Sequence, residues 1–425
     1  MKKINYILLL GLVLIAPFLK AQDINSPYSR YGLGRLYGKD VSTSLWSMGG
    51  ISYGIANPFI VNVANPASYG SFDSLTFVFQ TGITGNVGTL KNTQTSSSYN
   101  YASLNHVAVG FPVTKWWRSS LGVIPYSKIG YDTQVKIAVN GYTPFLDNRW
   151  GKGALAEIYW GNGFNITKNL RVGVNLNYLF GNKRSYNLAY SADSLNVFGA
   201  KTENYMWVGG LLYDWGLQYD IHIKKDQVLT LGVVYSNKST VSAYRSILAT
   251  TLTGGYGTNV DVVRDTIKYV ARENGNLLIP GSFGAGFSYR NKNLWLIGAD
   301  VQFQNWNKFR SFGIADSLSN SFRIAIGGQY TPQHSNISPL AKRMTYRMGL
   351  KYNQSYLHLN GFSINEFALT GGVQFPFKRT RTNLSLGFEI GSRGTLKNNL
   401  IRESFFNFTF GINIVQNWFY KRKYR

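Results

Sequence analysis

The stretch Phe406-Asn407-Phe408-Thr409-Phe410-Gly411-Ile412-Asn413-Ile414 decides the fold. Its even positions are aromatic or aliphatic; its odd positions are Asn, Thr and Gly. Side chains of an extended chain alternate between two faces, so this segment is a strand with one greasy and one polar side. The same alternation recurs over 172–180, 295–303, 322–330 and 344–352.

Composition sets the solvent of the greasy side. The chain has 425 residues, 44% hydrophobic and 15% aromatic, with only 15% charged. An ordinary soluble domain carries about 25% charged residues. Cys is absent, which excludes a disulfide framework, a thiolate metal site and an acylated Cys anchor. Beyond residue 21 no apolar run is long enough for a membrane-spanning helix. Many short amphipathic strands without apolar helices point to a transmembrane antiparallel β-barrel.

The connections support closure. Short basic turns occur at Thr167-Lys168-Asn169, Lys224-Lys225-Asp226, Arg290-Asn291-Lys292-Asn293 and 377–382. Longer polar stretches at 86–99, 141–153, 191–202, 239–279, 305–319, 355–363 and 392–403 alternate with them. Short turns on one rim and long loops on the other is the layout of an outer-membrane barrel. Lipid cannot satisfy an open strand edge, so the sheet must close. The scheme predicts about 14 strands, starting near residues 75, 99, 118, 153, 170, 203, 227, 279, 294, 321, 343, 364, 382 and 404, with both termini in the periplasm. Residues 260–270 read either as a hairpin extension above the membrane or as another strand.

Residues 1–21 read as a signal peptide: Met1-Lys2-Lys3, an apolar stretch from Ile7 to Phe18, and Ala21-Gln22 as the cleavage point. The expected place of the mature chain is the outer membrane of a Gram-negative bacterium. The net charge of +25 is dispersed over the chain. It suits contact with anionic outer-membrane lipid and lipopolysaccharide, and no nucleic-acid motif accompanies it. Trp116, Trp117, Trp418, Phe419 and Tyr420 sit where an interface girdle belongs. Residues 73–416 are the expected barrel, and 417–425 a basic periplasmic tail ending Lys421-Arg422-Lys423-Tyr424-Arg425.

Residues 22–72 lack long alternation and are rich in Gly, Ser, Asn and Pro. They contain Ser26-Pro27-Tyr28-Ser29-Arg30-Tyr31-Gly32, Met48-Gly49-Gly50 and Asn65-Pro66-Ala67. A periplasmic segment of this length preceding the first strand is a candidate plug for the lumen. Glycines at 49 and 50 let backbone approach a wall closely, and Asn65-Pro66 starts a turn. These phrases, followed by a fourteen-stranded barrel, resemble the outer-membrane transporters of the FadL type. The opening phrase and the terminal Trp418-Phe419-Tyr420 resemble the Bacteroidetes branch of these barrels. PorV-like barrels, which serve protein secretion, are similar.

The resemblance implies a porin-like transporter of hydrophobic, fatty-acid-like molecules, with a plug that gates the lumen and a kinked strand that opens a side exit. Pro125, interrupting Leu121-Gly122-Val123-Ile124-Pro125-Tyr126, is the kink candidate. The alternative is a non-transporting partner barrel of an outer-membrane protein secretion or assembly complex, with envelope protein partners. By parity the lumen face holds Glu157, Asp214, Asp220, Asp300, Arg323, Arg347, Lys351, Glu366 and Glu389. Mixed charges there should pair with one another or with the plug, where Arg30 and Arg35 are available. No catalytic, metal or cofactor motif appears. His106 is the single mid-strand His a lipid-facing Ser-His site could use, and no Gly-x-Ser-x-Gly phrase supports it. The chain therefore reads as a non-enzyme without a cofactor.

Overall fold

A computed structural model describes residues 26–138, 144–191, 198–253, 262–292, 294–333, 338–378 and 380–418. The signal segment, His334 and the tail beyond Trp418 lie outside the described residues. The chain forms a closed, antiparallel barrel of 14 strands. They are β1 (Thr76–Lys91), β2 (Ser96–Pro112), β3 (Trp117–Ile137), β4 (Phe145–Asn165), β5 (Leu170–Ser191) and β6 (Gly199–Lys224). β7 runs as Gln227–Ser236 and Ser239–Thr253, and β8 as Val262–Ile279 and Ser282–Asn291. The rest are β9 (Trp295–Gln304), β10 (Ser321–Tyr330), β11 (Thr345–Leu359), β12 (Phe362–Pro376), β13 (Asn383–Gly394) and β14 (Arg402–Asn417). β14 pairs with β1 from Asn417↔Thr76 to Arg402↔Lys91, and this closes the ring.

Alternation sets the two faces as expected. Phe406 and Phe408 are exposed on the outer wall, whereas Asn407, Thr409 and Asn413 are buried on the inner one. Tyr178, Ile158, Trp160, Leu386 and Ile390 continue the outer belt. At the short-turn rim Trp418 stacks on Phe77 at 4.4 Å and Trp116 on Phe164 at 5.9 Å. These rings form an interfacial girdle.

Twelve strand starts fall within four residues of the predicted ones; β4 starts at Phe145 where 153 was expected and β8 at Val262 where 279 was expected, and the long connections differ too. Of the expected loop 86–99 only 92–95 lies outside strand, and 355–363 turns at Asn360-Gly361. The stretch 239–279 is a tall hairpin, β7 pairing with β8 from Ser239↔Ile279 to Thr253↔Val262. Residues 262–270 therefore extend a barrel hairpin and add no fifteenth strand. Both strands break at one level, at Asn237-Lys238 and Pro280-Gly281. Proline cannot donate to the ladder, which accounts for the break in β8. Above the bilayer both faces of a sheet meet water. The backbone ladder persists there after the hydrophobic alternation that reveals it has gone. β14 ends at Asn417.

The wall is asymmetric. β6 has 26 residues and β9 has 10. At roughly 3.4 Å per residue the extra length carries β3–β8 well beyond the hydrocarbon core. A charge placed on the lipid belt should therefore act very differently from one on this extension. Phe408→Arg is expected to lower stability by about 2–4 kcal/mol, and Ile267→Arg to leave it nearly unchanged. Denaturant unfolding followed by the gel mobility of unheated samples measures both.

Candidate functional site

The lumen is the concave surface of the molecule, and residues 26–72 bond to its wall. Their contacts reach inward-facing residues on strands around the whole ring. Met48, Gly49 and Gly50 follow a single helical turn, α1 (Thr43–Trp46). Gly49 and Gly50 have φ of +73° and +79°, a region that side chains strain to adopt. A Cβ on wall residue Gly349 would lie 2.2 Å from the Gly49 nitrogen, and one on Gly327 2.2 Å from the Met48 carbonyl oxygen. The phrase and the bare wall opposite it fit each other backbone to backbone.

The second phrase starts a 3-10 turn, Pro66–Ser71. The Asn65 side-chain oxygen accepts from the Ala67 N–H at 3.1 Å. Its amide donates to the Tyr53 carbonyl at 2.8 Å and to that of Leu217, on β6, at 3.3 Å. Ala67 and Tyr69 are fully buried, and the Tyr69 hydroxyl meets the Asn175 side chain at 3.0 Å.

The predicted lumen residues all face inward, and four of the nine, Glu157, Asp214, Asp300 and Arg323, bond to this segment. Lys39 Nζ lies 2.6 Å from Asp214 Oδ2 and 3.2 Å from Glu157 Oε2. The Arg323 guanidinium grips Asp40 with two bonds of 3.1 and 3.0 Å. Asp300 Oδ2 accepts the backbone N–H groups of Ser52 at 2.6 Å and Tyr53 at 3.0 Å. Lys351 lies 2.9 Å from Glu389 and 3.7 Å from Glu366. Arg393 joins Glu366 to Glu403, and Glu403 accepts the Ser26 hydroxyl. Asp220 and Arg347 stand apart: Asp220 pairs with Arg171 at 2.6 and 2.7 Å, and Arg347 donates to Gln329 and Gln374.

Sequence reasoning named Arg30 and Arg35 as the plug's cations, but Lys39 and Asp40 carry the ion pairs. Arg35 lies against the Tyr101 hydroxyl and over the Phe405 ring, and Arg30 donates to Tyr31. Parity on the walls could locate the carboxylates; nothing in an irregular segment reveals which residue meets them. Burial pushes the Asp40 carboxyl up, but the Arg323 charge outweighs it and holds the group below its ordinary range. Burial disfavours the Lys39 ammonium, yet Asp214 and Glu157 hold its pKa above the usual value.

Between the segment and the wall lies a cavity of about 310 Å³. Five cations line it (Arg35, Lys39, Arg323, Lys351, Arg393) and five carboxylates (Asp40, Glu157, Asp214, Glu366, Glu389). Small-molecule pockets for apolar ligands are mostly apolar with a few placed polar groups. This chamber holds a balanced set of paired charges beside aromatic and aliphatic side chains such as Tyr37, Trp46, Tyr126 and Leu212. His106 is buried against the inner face and cannot serve a lipid-facing Ser-His site.

One seam interrupts the wall. β2 and β3 pair only from Pro112↔Arg118 to Val107↔Val123. Pro125 lies two residues beyond the last pair, and β3 is bulged against β4 between Pro125 and Ser127. Past this point the N-terminal segment pairs with β3. Arg35 and Leu36 align with Lys128 and Ser127, the Tyr37 N–H donates to the Tyr126 carbonyl at 2.9 Å, and that of Ser26 to Gly130 at 2.8 Å.

A family model described as BamG matches residues 1–425. No curated protein matches the chain. Among solved structures, the fold is similar to the Pseudomonas putida toluene transporter TodX, with 14% identity over 91% of this chain and 100% of that one and a TM-score of 0.61. It is also similar to the Ralstonia pickettii toluene transporter TbuX, with 13% identity over 89% and 98% of the chains and a TM-score of 0.58. A Pseudomonas aeruginosa FadL homologue matches with 10% identity over 88% and 98% and a TM-score of 0.57. At these identities the likeness is one of fold.

Lys39→Met should leave Glu157 and Asp214 enclosed without their cation. A fully buried pair broken this way loses about 3–5 kcal/mol; Lys39 is partly open to the cavity, so the expected loss is at or below that range. Adding Glu157→Gln to Lys39→Met should recover part of it. Thermal melts with limited proteolysis of residues 26–72 report both effects.

Proposed function

Since the chain belongs to the BamG family, we propose that it is a non-transporting partner barrel of an outer-membrane protein assembly or secretion complex. Residues 22–72 are a fixed plug in this reading, and the wall, more than the lumen, is the working surface. The balanced set of paired charges in the cavity carries the proposal. An apolar solute passing through it would have to displace paired charges from one another without replacing their hydrogen bonds, a large penalty. The family match supports the same reading. The barrel sits in the outer membrane of a Gram-negative bacterium, exported by its signal peptide. It contacts lipid and lipopolysaccharide through its aromatic girdles and basic rim, and performs no catalysis.

A second reading has two observations in its favour. The toluene transporters share this fold, and the seam beside Pro125 is a break in the wall of the kind a lateral exit needs. In that case the segment 26–41 would have to leave β3 during each passage, releasing its pairing with Tyr126, Ser127, Lys128 and Gly130.

The two readings separate on purification and conductance. Full-length protein tagged at its own locus and extracted in mild detergent is expected to run as a stable stoichiometric complex with other outer-membrane proteins. Planar bilayers holding the pure barrel should show little steady conductance. A monomer whose deletion slows uptake of toluene-like or fatty-acid substrates, with other outer-membrane proteins at normal levels, would overturn the proposal in favour of transport.

A further inference from the structure

The seam leaves its two edges in different states. On the β3 side the N-terminal segment takes up the backbone at Tyr126, Ser127, Lys128 and Gly130. On the β2 side, among the described residues, no backbone hydrogen bond links Ser96–His106 to another strand across the seam. Only side chains touch it there: Asn105 donates to the Val41 carbonyl at 2.8 Å, and Arg35 reaches the Tyr101 hydroxyl. Ala102 and Leu104 point outward at the height of the lipid belt, with Leu104 58% exposed. Each unpaired backbone group in hydrocarbon costs several kcal/mol.

The molecule has a second free edge, and it is protected. Above the bilayer β8 pairs with β7 on one side; on the other, among the described residues, Leu277 and Leu278 pair with Ser311 and Arg310 and the Asn276 carbonyl accepts the Phe312 N–H, and the rest of that edge has no strand beside it. That edge carries Arg264, Asp265, Lys268, Arg272 and Glu273, with three register shifts against β7. Charges and bulges are the devices by which sheets refuse further strands. The β2 edge has no charge, and its one bulge against β1, at Asn105, lies at the foot of the edge. From Asn92 to Thr114 there is no Lys, Arg, Asp or Glu, and its register with β1 is regular from Lys91↔Ser96 to Ile83↔Leu104.

We infer that the Ser96–His106 edge of β2 is a strand-addition site, occupied by a β-strand from another outer-membrane barrel protein. A strand is the occupant that supplies donors and acceptors in register at bilayer depth, whereas lipid supplies none there. The short pairing of Arg35–Leu36 on β3 shows the same mode of addition within the chain. The inference rests on the partner-barrel reading and names its interface.

Photo-crosslinking in living cells tests it. p-Benzoylphenylalanine is placed at Ala102 and Leu104, and at Ile326 and Ile390 as lipid-facing controls. Adducts are expected from 102 and 104 alone, with mass spectrometry mapping the joined peptide to a strand of another outer-membrane barrel. Asn100→Lys with Ala102→Lys should reduce the Leu104 adduct at least tenfold, while the barrel keeps its folded mobility in unheated gels. A lipid or lipopolysaccharide adduct, a link to residues 22–25 of the same chain, no adduct, or an adduct unmoved by the Lys pair would each overturn the inference. If the native complex still co-purifies in those cases, the interface lies elsewhere and the partner-barrel reading stands. If no complex is recovered, that reading fails with it.

Discussion

Every backbone N–H and carbonyl at bilayer depth must find a partner within protein, because hydrocarbon offers none. This constraint explains the closed ring, the unbroken registers around most of it, and the junction of β14 with β1. It also makes the seam between β2 and β3 the informative exception. There the wall strands part, and the chain's own N-terminal segment takes over one edge by pairing with β3. The segment thus both bonds to the lumen face and supplies a piece of the wall.

The lumen obeys a second rule, that enclosed charges persist when paired. Its ionic residues do more for position than for stability, since a buried pair contributes little net energy over an apolar replacement. Asp40 against Arg323 and Lys39 against Glu157 and Asp214 fix where consecutive residues of an irregular segment sit. Glycines on both sides bring the backbone of Met48-Gly49-Gly50 onto β10 and β11 without intervening side chains. A chamber organised this way is matched to holding its own chain. The toluene transporters share the architecture of the wall, and architecture does not transfer a substrate.

Much of this was legible from period two alone. The parity of 406–414 and its counterparts assigned the outer belt and the lumen face correctly, because lipid and the enclosed lumen impose opposite demands on neighbouring residues. Strand number followed from the sorting of turns. The tall hairpins escaped the same reading. Residues 262–276 keep a backbone ladder with 242–253, yet they are exposed on both faces almost throughout, and the alternation is lost there. Their periodicity is silent where the solvent is uniform.

The sequence by itself determined a membrane barrel, its inward carboxylates and an N-terminal segment unlike the strands, since each of these is written in local pattern and composition. It did not contain the pairing of Lys39 and Asp40 with the wall, the inward burial of His106, or the unequal edges of the seam. Those depend on which residues far apart in the chain meet once the cylinder closes. An irregular segment has no period from which its neighbours can be read, so only the tertiary structure decides them.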